Sequence, residues 1–112
     1  MIKRSFTATV ARNELWEGNT ATEPYECAWA SEAIFFIRAL DTRGSLAGAE
    51  ARVQISPDGI HWADEGARCG LPAHKDAVTF ARVRGFGGYL RIVGSVPQGA
   101  ACLVLVALAL KD

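Results

Sequence analysis

The sequence predicts an all-β protein, folded as a single antiparallel β-sandwich over residues 1–112, jelly-roll-like and built from about eight strands. Two patterns lead to this prediction. Apolar and polar residues alternate in most segments, as in strands with one buried face, and turns rich in glycine or proline separate these segments at short intervals. The length of 112 residues, 50% of them hydrophobic, suits one domain with a single core.

The first half of the chain contains three predicted strands. The segment from Phe6 to Val10 alternates with serine and threonine, and the polar stretch from Asn13 to Glu23 is expected to be irregular. A second strand is predicted from Tyr25 to Ala30. Residues 33–40 are apolar on both faces, which favours a central strand because aromatic and β-branched residues dominate this short run.

The second half is organised around Asp58-Gly59, a dipeptide typical of tight hairpin turns because glycine takes a positive φ without steric cost. It predicts a hairpin in which the alternating strand that ends at Ser56 pairs with residues 60–64. A loop is expected over residues 65–76. The remaining strands are predicted at residues 77–84, 89–93 and 101–110.

The last predicted strand is apolar on both faces, whereas a strand in an antiparallel sandwich normally keeps one face in water. Leu103 and Leu105 point to one side, and Val104, Val106 and Leu108 point to the other. Either a loop or the polar N-terminal segment covers the second face, or that face is a subunit interface. The interface hypothesis includes Leu103 and Leu105, with Phe35 and Arg91 as further candidates.

Charge and cysteine content exclude several function classes. Twelve basic and twelve acidic residues give a formal net charge of zero, which argues against nucleic acid or an anionic membrane as the partner. Three cysteines are an odd number, unlike a secreted disulfide framework; Cys27 and Cys102 are expected to be buried, and Cys69 to lie in a loop. The N-terminus lacks the apolar segment of a signal peptide, so synthesis in the cytoplasm is expected.

Residues able to support chemistry are few. Trp16 and Trp62 are the candidates for stacking on a ligand such as a sugar ring, although both also fit ordinary packing. The spacing of His61, Cys69 and His74 matches no structural zinc motif. No catalytic set stands out, so neither a catalytic residue, a metal nor a cofactor is expected.

The order of motifs in the second part of the chain resembles that of small β-sandwich proteins of tailed bacteriophages and prophage-like elements. The likeness covers roughly residues 33–111. It rests on an aromatic strand (Ile34–Leu40), an Asp-Gly turn followed by tryptophan (Val53–Trp62) and a Tyr-x-Arg strand (Gly88–Ile92). A Pro-Gly turn (Pro97–Gly99) and an apolar last strand (Ala101–Lys111) complete it. Such proteins are head decoration, fibre or tail components of virions, and the resemblance implies no catalytic residues.

Ser56-x-Asp58-Gly59-x-x-Trp62 also looks like the Asp-box hairpin of sialidase-type propellers. That motif usually has one more residue between its Asp and Gly and recurs in every blade, so here it indicates a hairpin only.

The leading hypothesis is a non-enzymatic structural protein that self-associates or docks on a larger assembly, such as a capsid or tail protein of a phage-like particle. The alternative is a small carbohydrate-binding module that uses Trp16 or Trp62. In the first case the protein belongs to a virion or phage-like particle after its synthesis.

Overall fold

Two antiparallel β-sheets, packed face to face, account for residues 4–112, the part of the chain that the computed structural model describes. The strands are β1 (Ser5–Trp16), β2 (Asn19–Ala21), β3 (Tyr25–Glu26), β4 (Glu32–Arg43), β5 (Glu50–Ser56), β6 (Ala63–Gly70), β7 (Val78–Arg84), β8 (Tyr89–Ser95) and β9 (Ala101–Lys111). Residues 1–3, on which the signal-peptide prediction partly depends, lie outside this range.

The front sheet has the order β1-β9-β4-β7, and the back sheet has the order β2-β8-β5-β6, with β3 also paired to β8. Consecutive strands alternate between the two sheets, with two exceptions: the short β3 follows β2 in the back sheet, and β5 and β6 form a hairpin within that sheet. This alternation is typical of jelly rolls. No helix occurs within residues 4–112. The prediction of an all-β antiparallel sandwich is confirmed.

The core lies between the sheets, and β9 shows how it is built. Its even-numbered apolar residues are all 0% exposed, whereas its odd-numbered residues from Leu103 to Ala109 are only half-buried. Fully burying one such side chain stabilises the fold by roughly 1.5–3 kcal/mol. The set that faces the core, which the sequence left open, therefore includes Val104, Val106 and Leu108, together with Cys102 and Leu110.

Trp16 is a core residue with only 1% of its surface exposed, so its ring is not available for the stacking on a ligand that the sequence suggested. The stretch from Asn13 onward was expected to be irregular, but β1 continues to Trp16 through two β-bulges, one between Thr9 and Ala11 and one between Arg12 and Glu14. Each bulge adds a residue to β1 and shifts its alternation. The two shifts cancel, so Trp16 lies on the same side of β1 as Phe6 and pairs with the buried Cys102. Its position was missed because the stretch around it is mostly polar and does not resemble a strand.

The hairpin between β5 and β6 also differs from the prediction. Ile55 pairs with Ala63, so a six-residue loop over residues 57–62 replaces the tight turn over residues 57–59 that was predicted, and the second strand begins at Ala63 and not at residue 60. The segment expected to be a loop over residues 65–76 contains most of β6. β6 is an edge strand that bonds only to β5, and its burial alternates only between exposed and half-buried positions. An edge strand of this kind needs few large apolar residues, which explains why its sequence does not resemble a strand.

Replacing Gly59 with valine is expected to lower the free energy of unfolding by about 1–3 kcal/mol. Gly59 has a φ of 78°, and a β-branched residue is strongly disfavoured in that conformation. Chemical denaturation of the variant measures the effect. Gly87, which has open space around its α-carbon and is not among the glycines with positive φ, provides the control as Gly87→Ala. An unchanged midpoint for Gly59→Val would contradict this account of the loop.

Cys27 should react with a thiol reagent more slowly than Cys69 in the native protein. Cys27 is 0% exposed, and burial, with a smaller contribution from Glu26, raises its pKa to about 11. Cys69 lies half-buried on β6, where its Sγ is 3.9 Å from Thr79 Oγ1. Cys27→Ser should cost about 1–3 kcal/mol because a buried hydroxyl lacks a partner, and Cys69→Ser should cost less. Faster labelling of Cys27 than of Cys69 would refute this assignment.

Candidate interaction surface

The side of the front sheet that points away from the core, here called the front face, carries a continuous set of apolar residues. Directly paired residues in an antiparallel sheet share a face, so the strand register identifies its members. One row across the sheet consists of Thr9, Ala107, Phe36 and Phe80. The apolar residues of the whole front face are Leu15, Ile34, Phe36, Val78, Phe80, Leu103, Leu105, Ala107 and Ala109.

Two aromatic rings, on β4 and on the neighbouring edge strand β7, are exposed to solvent on this face. Phe36 is 37% exposed and Phe80 is 48% exposed, and their ring centroids are 6.2 Å apart with the planes tilted by 42°. Val78 and Leu15, on the two edge strands, are 55% and 48% exposed. Exposed apolar side chains that form one patch, rather than occurring singly, are characteristic of a surface that binds another molecule.

The polar N-terminal segment does not cover the front face. It forms β1, which hydrogen-bonds beside β9 in the same sheet and leaves the outer side of β9 uncovered. Small side chains keep the middle of the face low. Ala107 lies between Thr9 and Phe36, and Ala109 lies between Thr7 and Ile34. The result is a flat surface with aromatic rings along one side.

Positively charged side chains border the apolar residues. Arg38 and Arg84 form ion pairs of 2.9 Å with Asp76 and 3.0 Å with Glu32. The guanidinium of Arg82 lies 5.1 Å from the centre of the Phe80 ring, a cation–π contact. Within residues 4–112, no carboxylate comes within 4 Å of the cationic groups of Arg12, Arg82 or Lys111. The rim of the front face therefore carries positive charge that is not neutralised locally.

The front face has a shallow depression near each end. One, of about 210 Å³, is lined by residues that include Ile34, Arg82 and Lys111. The other, of about 200 Å³, lies at the opposite end between β1, β4 and β9, and Leu15 and Leu103 line it. These depressions offer places where side chains of a partner could insert into an otherwise flat face.

The predicted interface residues do not all lie together. Leu103 and Leu105 belong to the front face, as the interface hypothesis requires. Phe35 is 0% exposed and lies in the core, and its neighbour Phe36 takes the outward position instead. The aromatic pair Phe35-Phe36 fits either orientation until the pairing of β4 with β9 is known, so the sequence could not distinguish them.

Arg91 lies on the other sheet, where it contacts Trp62. It extends from β8 on the outer side of the back sheet and donates a hydrogen bond of 2.8 Å to Gln54 Oε1. Its guanidinium is 4.3 Å from the centre of the Trp62 ring. Trp62 is half-buried and lines an open cavity of about 440 Å³ together with Pro57 and His61. Arg91 is thus separated from Leu103 and Leu105 and belongs to a second candidate site.

The loop beside this cavity is held by the side chains of Ser56 and Asp58. Ser56 Oγ accepts a 2.8 Å hydrogen bond from the Gly59 N–H, and Asp58 Oδ1 accepts 2.8 Å bonds from the N–H groups of Ile60 and His61. The His61 ring Nδ1 lies 2.7 Å from Asp58 Oδ2. These bonds, above all that from the His61 N–H, hold the pKa of Asp58 well below its ordinary value. Like the Asp box that it resembles, the motif here organises a turn.

Residues 4–112 contain no group of three or more histidine, cysteine, aspartate or glutamate side chains arranged to hold a metal ion. The same part of the chain has no helix that is long and apolar enough to cross a membrane.

Comparison with known proteins identifies the fold. No protein-family model and no curated protein sequence matches the chain. Among solved structures, the SPBc2 prophage-derived protein YomS is similar over 100% of this chain and 96% of its own, with a TM-score of 0.63 and 10% identity. The PBSX exported protein XepA matches with a TM-score of 0.58 and 10% identity, over 97% of this chain and 36% of its own.

A carbohydrate-binding module is similar to about the same degree. The CBM36-1 domain of a xylanase from the hindgut metagenome of Trinervitermes trinervoides has a TM-score of 0.55 and 11% identity, over 94% of this chain and 96% of its own. At such low identity these matches concern the fold alone. The resemblance to small β-sandwich proteins of prophage elements is confirmed at that level, and the same sandwich also occurs in sugar-binding modules.

Proposed function

We propose that this chain is a non-enzymatic structural protein that self-associates through its front face as part of a larger assembly, such as a phage-like particle. One observation carries the proposal: the apolar patch around Phe36 and Phe80 is uncovered within residues 4–112 and extends over all four strands of the front sheet. Burying such a patch against another subunit is the usual reason for its presence. The fold shared with YomS and XepA supports a phage-type setting.

The size of the front face supports the same proposal. The longest strands, β1 and β4, have 12 residues each and β9 has 11. At ~3.4 Å per residue and ~4.8 Å between strands, a four-stranded face of this length covers roughly 700 Å². A protein–protein interface of standard size buries ~800 Å² on each partner. The front face alone therefore approaches the area that a specific interface needs.

Replacing Phe80 with serine tests this proposal. Phe80→Ser should shift the protein from an oligomer to a monomer in sedimentation velocity, while its circular dichroism spectrum stays that of the wild type. Ile60→Ser provides the matched control, because Ile60 is 74% exposed but lies in the loop between β5 and β6, away from the front face. A monomeric wild type, or equal behaviour of the two variants, would contradict the proposal.

Carbohydrate binding at the back sheet is the second candidate function. Trp62 is half-buried beside a 440 Å³ cavity, and Arg91 at 4.3 Å occupies only one side of its ring. A sugar could stack on the other side, as aromatic residues commonly allow. Affinity electrophoresis in polysaccharide gels should then show retardation that Trp62→Ala removes. Trp29→Ala is the control, because Trp29 is a partly buried tryptophan that does not line this cavity, and it should leave the retardation unchanged. Absence of retardation in every polysaccharide tried would refute this second candidate.

A further inference from the structure

Charge is distributed unevenly over a chain whose formal net charge is zero. Cations border the front face, as described above. Four glutamates lie along one side of the sandwich. Glu14 is on β1, Glu17 is in the turn after β1, Glu23 is between β2 and β3, and Glu26 is on β3. This side is here called the glutamate edge. All four are exposed, and within residues 4–112 no basic group comes within 4 Å of their carboxylates.

The topology brings these glutamates to one side of the molecule. β1 is the edge strand of the front sheet, and β2 and β3 both pair with the outer side of β8 in the back sheet. Only Glu17 and Gly18 separate β1 from β2, so the two edges lie next to each other. Of the cations that border the front face, Arg82 on β7 is three strands away from β1, Lys111 is on the adjacent β9, and Arg12 is on β1 itself, where it pairs with Leu105 on the front face. Arg82 therefore provides the clearest separation of positive from negative charge.

We infer that copies of this chain associate head to tail, with the front face of one copy docked onto the glutamate edge of the next. This inference rests on the proposed function, because it names the occupant of the same front face. The glutamates would meet the positively charged rim formed by Arg12, Arg82 and Lys111. Complementary charge of this kind fixes the register of an interface and suppresses other pairings.

A symmetric pairing of two front faces is disfavoured by the same charges. In such an isologous dimer each patch meets an identical patch, so the basic rims of both copies would be brought together. Glu32 and Asp76, which lie near this rim, are each already in an ion pair with an arginine of their own chain. Asp41, opposite Leu103 on β4, is in no ion pair within residues 4–112, and one carboxylate offsets only part of the positive charge. Head-to-tail contacts avoid this repulsion, and they generate a ring or an open filament depending on whether the rotation closes.

Mixing two variants tests the inference. A face variant carries Phe36→Ser and Phe80→Ser, and an edge variant carries Glu14→Lys and Glu23→Lys. Ala73→Lys with His74→Lys, on the exposed loop between β6 and β7, is the control for added positive charge. Head-to-tail association predicts that each of the first two variants self-associates at least about tenfold more weakly than the wild type. At a concentration where the wild type assembles, each of them alone should therefore be mainly monomeric. Mixed together, they should form a 1:1 complex, because one retains its front face and the other its glutamate edge.

The alternatives give different results in sedimentation velocity. If the edge variant assembles as fully as the wild type while the face variant is monomeric, the head-to-tail arrangement is overturned and the proposed function stands. If the face variant also assembles like the wild type, or the wild type is monomeric, both are overturned. A control variant that loses assembly to the same extent as the edge variant would likewise overturn the role of the glutamate edge.

Discussion

Replacing Gly94 with alanine is expected to destabilise the fold by about 3 kcal/mol, at the upper end of the usual cost of overpacking. A Cβ added at Gly94 would lie 2.5 Å from two ring carbons of Trp16, far inside van der Waals contact. The ring has nowhere to move because Trp16 is 1% exposed. β8, which carries Gly94, is held between β2 and β5 by hydrogen bonds on both sides. Neither Trp16 nor β8 can therefore move enough to relieve the overlap.

Urea denaturation followed by circular dichroism measures this effect. Gly87→Ala is the matched control, because its added Cβ would have no other heavy atom within 4 Å, and its stability should stay within about 0.5 kcal/mol of the wild type. Equal stability of the two variants would show that Trp16 does not pack against β8 as described.

Val106→Lys is expected to unfold the protein, whereas Leu105→Lys should leave it folded. Val106 is 0% exposed in the core, so a lysine there would lose hydration without a counter-ion, at a cost on the order of 5 kcal/mol. Leu105 lies next to Val106 on the opposite side of β9, half-buried on the front face, where a lysine can extend its amine into water. Far-ultraviolet circular dichroism and thermal melting compare the variants. Two folded variants, or two unfolded ones, would contradict the assignment of the faces.

The sequence was sufficient to predict the fold class because alternation and turn residues are local signals. The strands around Val53, Leu90 and Val106 follow a strict alternation, and the structure contains them close to the predicted positions. Features that depend on a neighbouring strand were missed. The bulges of β1 exist only in relation to β9, and β6 is a strand because β5 supplies its hydrogen bonds, not because of its own composition.

The candidate surface was only partly predictable for the same reason. An apolar run such as that of β9 predicts that both of its faces require burial, and the structure places Leu103 and Leu105 on the side that points away from the core. Whether Phe35 or Phe36 joins them depends on the register between β4 and β9, which no local pattern encodes. Alternation alone puts Val78 and Phe80 on one side of β7, but only the sheet order identifies that side as the front face.

The charge pattern of the front face has a practical consequence for measurement. Exposed ion pairs are screened by salt over a Debye length of ~10 Å at 0.1 M. Association that depends on the positive rim should therefore weaken as salt is added, while the apolar contribution of Phe36 and Phe80 remains. Comparisons between variants are best made at a single, low ionic strength.

Sedimentation velocity of the wild type beside Leu105→Lys tests most directly the claim that the front face is an interface between copies. We expect the wild type to sediment as an oligomer whose size grows with concentration, and Leu105→Lys to sediment as a folded monomer. A wild type that stays monomeric at every concentration, or a folded Leu105→Lys variant that assembles as the wild type does, would contradict the claim.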